Sequence, residues 1–510
     1  METAGQPGVM RACAGATPAD VLMGAGLPAL EAHNIVSTLA IQSTAYLEEA
    51  VRRGSVKALL GGTTNMDDHV LRFIRLGERI APSTQITDQA RAGVPLAYAA
   101  WVGRMVVSAL RAMPGVLSAV TAGRVRRRCE IVDSLDLVVS TENPADLARA
   151  PVGLPAIVSA AATPDVLHAD VLGMDIRIHV TAPRSFASRL LEATGSARHV
   201  HRLAELAAER GLLLDRGVLV HSITGRQILL GDEAEIYAQL GLPFIPPEYR
   251  VGSDEIEEAL AGTLPCPVEH EDIQGDLHLH TDWSDGLDTV EDMVAEAMRR
   301  GYNYVAVSDH TVYHSTAHGL SAEQLLAQWD AVEALQRRCP SIVILKGAEV
   351  DILPDGTLDM SDDVLAKADI VLASVHKHLD MEPRALTRRL IRAMENPHVD
   401  VLAHPTGRSI GLSDYRVDVD ELICAAARLG VGLEINCAPD RLDIDERLAE
   451  RCTDLGIALA IGSDAHSVGE MDQLSLGVGV ARRARCTSHG ILNARSPQEL
   501  RAWLDRHRND

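Results

Sequence analysis

From residue 276 onward, short runs of branched aliphatic residues alternate with stretches whose apolar positions recur at helical spacing. The runs DLHLH (276–280), YVAVSDH (304–310), IVILKGAEV (342–350), DIVLASVH (369–376), DVLAHP (400–405), GLEINC (432–437) and ALAIGSDAH (458–466) read as strands. Helices fall between them. In TVEDMVAEAMRRG, Val290, Met293, Val294, Ala297 and Met298 share one face and Thr289 stands at the N-cap. AEQLLAQWDAVEALQRR reads as another helix. Seven strand–helix units in a row predict a parallel α/β architecture, most economically a barrel.

The polar residues add chemistry to that pattern. Nearly every strand ends in a histidine or an acid: His278 and His280, His310, Glu349, His376, His404, and Asp464 with His466; Asp285 follows the first strand. In a parallel barrel those ends converge on one rim. Residues two apart on a strand share a face, so His278 with His280, and Asp464 with His466, can each grip a common centre. One strand-end histidine alone is more often a hydrogen-bonded core or loop residue. Six histidines and three acids on one rim would cost heavily without a counter-charge. Imidazole and carboxylate without thiolate suit Zn²⁺, Mn²⁺ or Fe²⁺. Nine ligands are too many for one ion, so two or three divalent metals are expected close together. Such a cluster suits phosphoester hydrolysis, with a metal-bound hydroxide as attacker and no separate protein nucleophile assigned.

The stretches GDLHLHTDWSDG, VSDH, KGAEVDIL, ASVH, LAHPTGR, LEIN and SDAHS resemble the motif series of the PHP (polymerase and histidinol phosphatase) domain, over about 235 residues. ENPHVDVLAHPTGR and the stretch around Asn436, Pro439, Asp440, Arg441 and Leu442 look like the PHP domain of bacterial family X DNA polymerases. The resemblance implies a distorted seven-stranded barrel, a trinuclear metal site with Glu349 as a bridging ligand, and 3′→5′ exonuclease activity with removal of 3′ phosphates. The family's ligand positions map onto the same nine residues. Arg408 in HPTGR is a weaker candidate for a substrate phosphate. Lys377, His378, His314 and His318 lie near ligand positions but are expected to stay outside the metal shell.

A second resemblance covers residues 95–265. VPLAYAAWVGRMVVSALRAMPGVLSAVTAGRVRRRCEIVDSLDLVVST, VLGMDIRIHV, ATGSARHVHRLAELAAERGLLL and EAEIYAQLGLPFIPPE look like the palm and thumb of a family X polymerase. That fold sets a Gly-Ser pair, an Asp-x-Asp strand and a third Asp around two Mg²⁺ ions. Here Asp175 and Asp136 are present, but Ser134 stands at the first Asp position and Gly123 is followed by Arg124. Ser134 and Asp136 share a strand face, and a neutral hydroxyl cannot replace a carboxylate bridging two dications. Asp133 points the other way unless a bulge shifts the register. The polymerase-like site therefore reads as degenerate, which puts Mg²⁺ binding there in question. Arg124, Arg126, Arg127 and Arg128 form a dense basic cluster, read either as a DNA contact or as a solvated turn in a chain with 44 Arg and 4 Lys. Thr194, Gly195 and Ser196 match a motif near the primer, or form a helix-capping turn. Residues 1–94 read as helical and resemble a degenerate helix-hairpin-helix module, in which Asp67 and Asp68 of LLGGTTNMDDHV would oppose phosphate binding.

Charge and composition adjust the functional choice. Residues 1–265 carry 24 Lys and Arg against 29 Asp and Glu, while residues 266–510 carry 24 against 42. An acidic surface with only 3 Phe, 8 Tyr and 4 Trp argues against a general nucleic-acid binder but does not exclude a nuclease. The eight cysteines are scattered with no CxxC pair, and no apolar run approaches ~18 residues, so a cytoplasmic protein without a membrane span is expected. GTLPCPVEHEDIQ (262–274) reads as a linker, giving a helical region 1–94, a palm and thumb 95–261 and a PHP domain 275–510. The whole is an α/β multidomain chain with a nucleotidyltransferase-like α+β middle and a distorted (β/α)7 barrel at the end. The expected function is a PHP-class metal-dependent phosphoesterase acting on DNA 3′ ends. The alternatives are a small-molecule phosphatase acting on phosphomonoesters, resembling histidinol phosphatase, and an active gap-filling polymerase.

Overall fold

A computed structural model describes residues 93–143, 157–162, 166–171, 174–215, 218–228, 230–408, 410 and 416–509, with a few isolated positions before residue 93. The helix-hairpin-helix reading, with Asp67 and Asp68, lies outside the described residues. From residue 93 on, the chain forms two compact units that meet in sequence at Pro265 and Cys266. Among the described residues, no helix is long and apolar enough to cross a membrane.

The second unit is built on seven parallel strands in sequence order: β1 (Gly275–Asp276), β2 (Tyr304–Val307), β3 (Val343–Asp351), β4 (Ile370–Ser374), β5 (Val401–Leu402), β6 (Gly432–Asn436) and β7 (Leu459–Gly462). A parallel bridge between Leu279 and Ala465 brings the first strand back to the last, so the sheet nearly closes into a barrel. Both strand faces are buried. Tyr304, Ala306, Ile370, Leu372 and Val401 pack with Leu500 and Leu504 of the C-terminal helix. Their neighbours Val305, Val307, Ala373 and Leu402 pack against helical residues such as Met293, Val294, Leu386 and Leu390.

The first strand is shorter than expected. The buried Asp276 carboxylate accepts the N–H groups of His278 and Ser463, each at 3.2 Å, which takes them out of the sheet ladder. Pairing resumes at Leu279, whose N–H donates to Ser308 Oγ at 2.9 Å. The rim is thus stitched by side chains, so two histidines can leave it without orphaning the backbone.

Helix α1 (Val290–Arg299) begins at a capping box in which Thr289 accepts from Asp292 N at 3.1 Å. Val290, Met293, Val294 and Ala297 are buried, but Met298 is 42% exposed. Eight residues along an α-helix carry Met298 about 80° past Val290, to the edge of the apolar face. Helix α2 (Ala322–Arg338) is likewise capped by Ser321 with Gln324.

The first unit carries a five-stranded mixed sheet, ordered Val116–Thr121, Leu135–Thr141, Met174–Thr181, Val166–Val171 and Ile157–Ala162. Strands Leu135–Thr141 and Met174–Thr181 run parallel, with Asp136 beside Arg177. A helical lobe follows, centred on Leu191, Leu203, Ile236 and Tyr237. His199 is buried in it, with Nδ1 2.7 Å from Glu255 and Nε2 2.9 Å from the Tyr237 hydroxyl.

Candidate metal centre

Glu349, near the end of β3, is wholly buried and faces five imidazoles. Its Oε1 lies 2.7 Å from His404 Nε2 and 3.4 Å from His376 Nε2. Its Oε2 lies 2.8 Å from His310 Nδ1, 3.5 Å from His278 Nε2 and 3.6 Å from His280 Nε2. Asp464 Oδ1 is 3.2 Å from His280 Nε2 and 3.7 Å from His278 Nε2. Asp285 Oδ1 is 3.4 Å from His466 Nε2 and 3.7 Å from His310 Nε2. All nine residues expected from the strand ends therefore meet in one continuous cluster.

These donors fit divalent cations better than each other. His278 Nε2 and His280 Nε2 face one another at 3.2 Å. Glu349 Oε2 and His310 Nδ1, though close, make no hydrogen bond in this geometry, and both are buried. Unpaired buried polar atoms are costly unless something else satisfies them. Three overlapping sets bring their donor atoms within 4.8 Å of one another: His280, Asp285, His310 and His466; His278, His280 and Glu349; Glu349, His376 and His404. Glu349 belongs to two sets, as a bridging carboxylate would.

A further layer aims the rings. His278 Nδ1 is 2.6 Å from Glu434, His376 Nδ1 is 3.2 Å from Asp351, and His466 Nδ1 donates to the Asp464 carbonyl at 2.8 Å. Each bond engages Nδ1 of its ring and leaves Nε2 directed at the cluster. Asp309 holds the loop that carries Asp285, accepting from Thr281 N at 2.7 Å and Thr281 Oγ1 at 2.6 Å. His404 and Asp464 have φ of 69° and 54°, a left-handed backbone that a non-glycine residue adopts at a cost. Sequence reasoning missed Glu434, Asp351 and Asp309. A signal existed for Asp351, which lies two residues after Glu349 on the same strand face.

Burial opposes every charge in the cluster, and the facing groups decide the direction. Burial alone would raise Glu349 and Asp464, but the surrounding histidines hold both well below the usual carboxylate range. Burial, then His310 and His466, push His280 down to about 3. Against its own burial, His466 is raised to about 10 by Asp285 and Asp464, and His376 to about 9 by Glu349 and Asp351. The carboxylates stay ionised, as cation ligands must.

The weaker candidates separate. The Arg408 Nη1 donates to the Leu442 carbonyl at 3.2 Å and its backbone N–H to Asp443 at 3.3 Å, which anchors the loop after His404. Lys377 Nζ lies 4.6 Å from the Tyr313 ring centroid, and His378 Nε2 is 3.1 Å from the Tyr313 hydroxyl. His318 is exposed. His314 comes closer than expected, with its ring centroid 4.5 Å from that of His310 and 4.2 Å from that of His376.

At the palm-like site, Arg177 Nη2 donates to Ser134 Oγ at 2.7 Å and to Asp136 Oδ2 at 2.9 Å, and His179 Nε2 is 3.2 Å from Asp136 Oδ1. Two basic side chains thus occupy the carboxylate that would bind Mg²⁺. Asp133 is half-exposed and pairs with Arg124 at 3.2 Å. Asp175 is half-buried on the neighbouring strand. Gly123, with φ of 57°, packs so tightly that a Cβ would lie 2.4 Å from Asp136 Oδ2. The arginine cluster is internal in part. Arg126 pairs with Glu233 and donates to Thr194 Oγ1 at 2.8 Å, Arg127 donates to the Thr194 carbonyl, and Ser196 caps the helix Ala197–Glu209.

A buried carboxylate ringed by imidazoles at the rim of a parallel β/α barrel defines a metal-dependent hydrolase. Residues 276–438 match the PHP domain, and residues 189–251 match the DNA polymerase beta thumb. The DNA polymerase/3′-5′ exonuclease PolX of Bacillus subtilis is 33% identical over 487 residues, which are 94% of this chain and 83% of that protein. The chain belongs to that family, the family X DNA polymerases with a C-terminal PHP domain. A probable phosphatase of Thermoanaerobacter sp. is 29% identical over 231 residues, 43% of this chain and 89% of its own length. A crystal structure of Leishmania infantum polymerase beta matches 44% of this chain and 94% of that one, at 15% identity and a TM-score of 0.29.

Proposed function

We propose that the barrel is a 3′→5′ exonuclease and 3′-end-processing site, and that the palm-like half no longer polymerises but positions the DNA end. The observation that carries this reading is the convergence of His278, His280, Asp285, His310, Glu349, His376, His404, Asp464 and His466 on one buried cluster. Two or three divalent ions, Mn²⁺, Zn²⁺ or Fe²⁺, would be held there and would supply Lewis acidity and a nucleophile from water at neutral pH. The residues of the chain keep the carboxylates ionised, orient the rings through Glu434 and Asp351, and hold the Asp285 loop through Asp309. In this reading residues 275–510 hydrolyse, residues 95–261 guide, and 262–274 links them. The similarity to PolX favours a DNA end as substrate. The similarity to probable phosphatases supports a second reading as a phosphomonoesterase.

The test is Mn²⁺-dependent digestion of a 5′-labelled oligonucleotide with a recessed 3′ end, beside His280→Ala. A ladder of shortened products that disappears in the variant is expected. No shortening, with phosphate still released from small phosphomonoesters, would transfer the assignment to the second reading.

A further inference from the structure

His314 crowds the metal cluster, yet its hydrogen bonding has the opposite sense to that of the ligands. One donor atom from each of His310, His314 and His376 lies within 4.8 Å of the others, so proximity alone would make His314 a tenth ligand. However, His314 caps the short 3₁₀ turn Ser315–Ala317, and the Ala317 N–H donates to its Nδ1 at 3.2 Å. A nitrogen that accepts a hydrogen bond carries no proton, so the ring proton sits on Nε2. An Nε2–H offers a donor and no lone pair, and cannot bind a cation. The ligands His278, His376 and His466 are arranged the other way, with Nδ1 directed at Glu434, Asp351 and a backbone carbonyl, and Nε2 open toward the cluster.

We propose that His314 is a substrate-binding hydrogen-bond donor, whose Nε2–H contacts a phosphoryl oxygen of the phosphoester beside His310 and His376. This rests on the hydrolase reading above and adds a residue to it. His314 is only half-buried, so its ring, beside those of His310 and His376, is partly open to solvent and within reach of a bound substrate. Lys377, which follows the ligand His376 and lies over the Tyr313 ring, adds a cation to the same rim. Both features favour an anionic phosphate there.

The full-length protein, loaded with Mn²⁺, is compared with His314→Phe, which removes the donor, and His314→Gln, which can restore one. Metal content is measured by elemental analysis, binding of inorganic phosphate by calorimetry, and kcat/KM on the 5′-labelled recessed oligonucleotide. His314→Phe is expected to keep the wild-type metal content while phosphate affinity and kcat/KM each fall about tenfold, the worth of one hydrogen bond to a charged group. His314→Gln is expected to recover part of both. Loss of a metal equivalent in His314→Phe would make His314 a ligand and overturn the proposal. So would unchanged phosphate affinity and kcat/KM at full metal content. If the phenylalanine variant does not fold, His314→Ala carries the same comparison. A wild-type protein that binds phosphate but shortens no DNA would overturn the exonuclease reading alone, since metal content and phosphate affinity still decide the role of His314.

Discussion

Glu349 shows how much one residue can organise. A single carboxylate offers about four lone-pair directions, and here five imidazoles surround it closely. Divalent cations held between them would turn this crowding into coordination. The nine residues of the cluster were legible because a strand has a period of two and a parallel barrel gathers its strand ends. Glu434 and Asp351 were not legible as partners, because that role depends on which side chain packs behind a ring. Their effect is measurable. Glu434→Gln removes the carboxylate that fixes the His278 ring, and Mn²⁺ affinity should fall about 10–100-fold in competition with a graded chelator. Unchanged affinity would show that His278 is oriented by packing alone.

At the scale of elements, local rules predicted some features closely and others only in outline. The cap at Thr289 and the helix Ala322–Arg338 were readable from side-chain chemistry and spacing. The break after Asp276 was not, since it arises from a buried carboxylate taking N–H groups from two segments far apart in sequence. The lobe around His199 carries a consequence of the same kind. Burial disfavours the imidazolium, so His199 in the folded protein has a pKa below its ordinary 6.5. Burial would raise Glu255 and Glu233, but His199 beside the first, and Arg126 and Arg250 beside the second, hold both below 4.5. For all three, the folded value is lower than the unfolded one. Their stabilisation is therefore complete above the unfolded values and is lost as pH falls through the folded ones. The melting temperature of this lobe should decline from about pH 6.5 downward. In His199→Gln the decline should begin only where the glutamates titrate, and identical pH profiles for the two proteins would contradict the assignment.

The whole molecule carries both the histidine–carboxylate cluster and a palm-like sheet whose Asp136 carboxylate is engaged by Arg177 and His179. The two halves make opposite predictions in the same tube. With Mg²⁺ and a one-nucleotide gap, no deoxynucleotide incorporation is expected. Robust extension abolished by Asp136→Ala would show that Ser134 and Arg177 leave a working polymerase site. Ser134 was readable as a departure only through the resemblance, which sets an aspartate at that position, with strand periodicity placing it on the face of Asp136. The ion pairs at Asp136 required the neighbouring strand, because Arg177 reaches Asp136 only through the parallel pairing of two segments about forty residues apart.

The sequence by itself determined the alternation of strands and helices, the parallel class of the barrel, and the identity of all nine cluster residues. Each of these follows from local periodicity and from residue type at strand ends. The tertiary structure decided which imidazole nitrogen faces inward, which buried acids aim the rings, and that Arg126 and Arg127 bond within the fold. It also decided that His314, beside His310 and His376, accepts the Ala317 N–H at its Nδ1. Those outcomes depend on contacts between residues distant in the chain, where hydrogen-bond direction and burial are set by packing and not by sequence spacing.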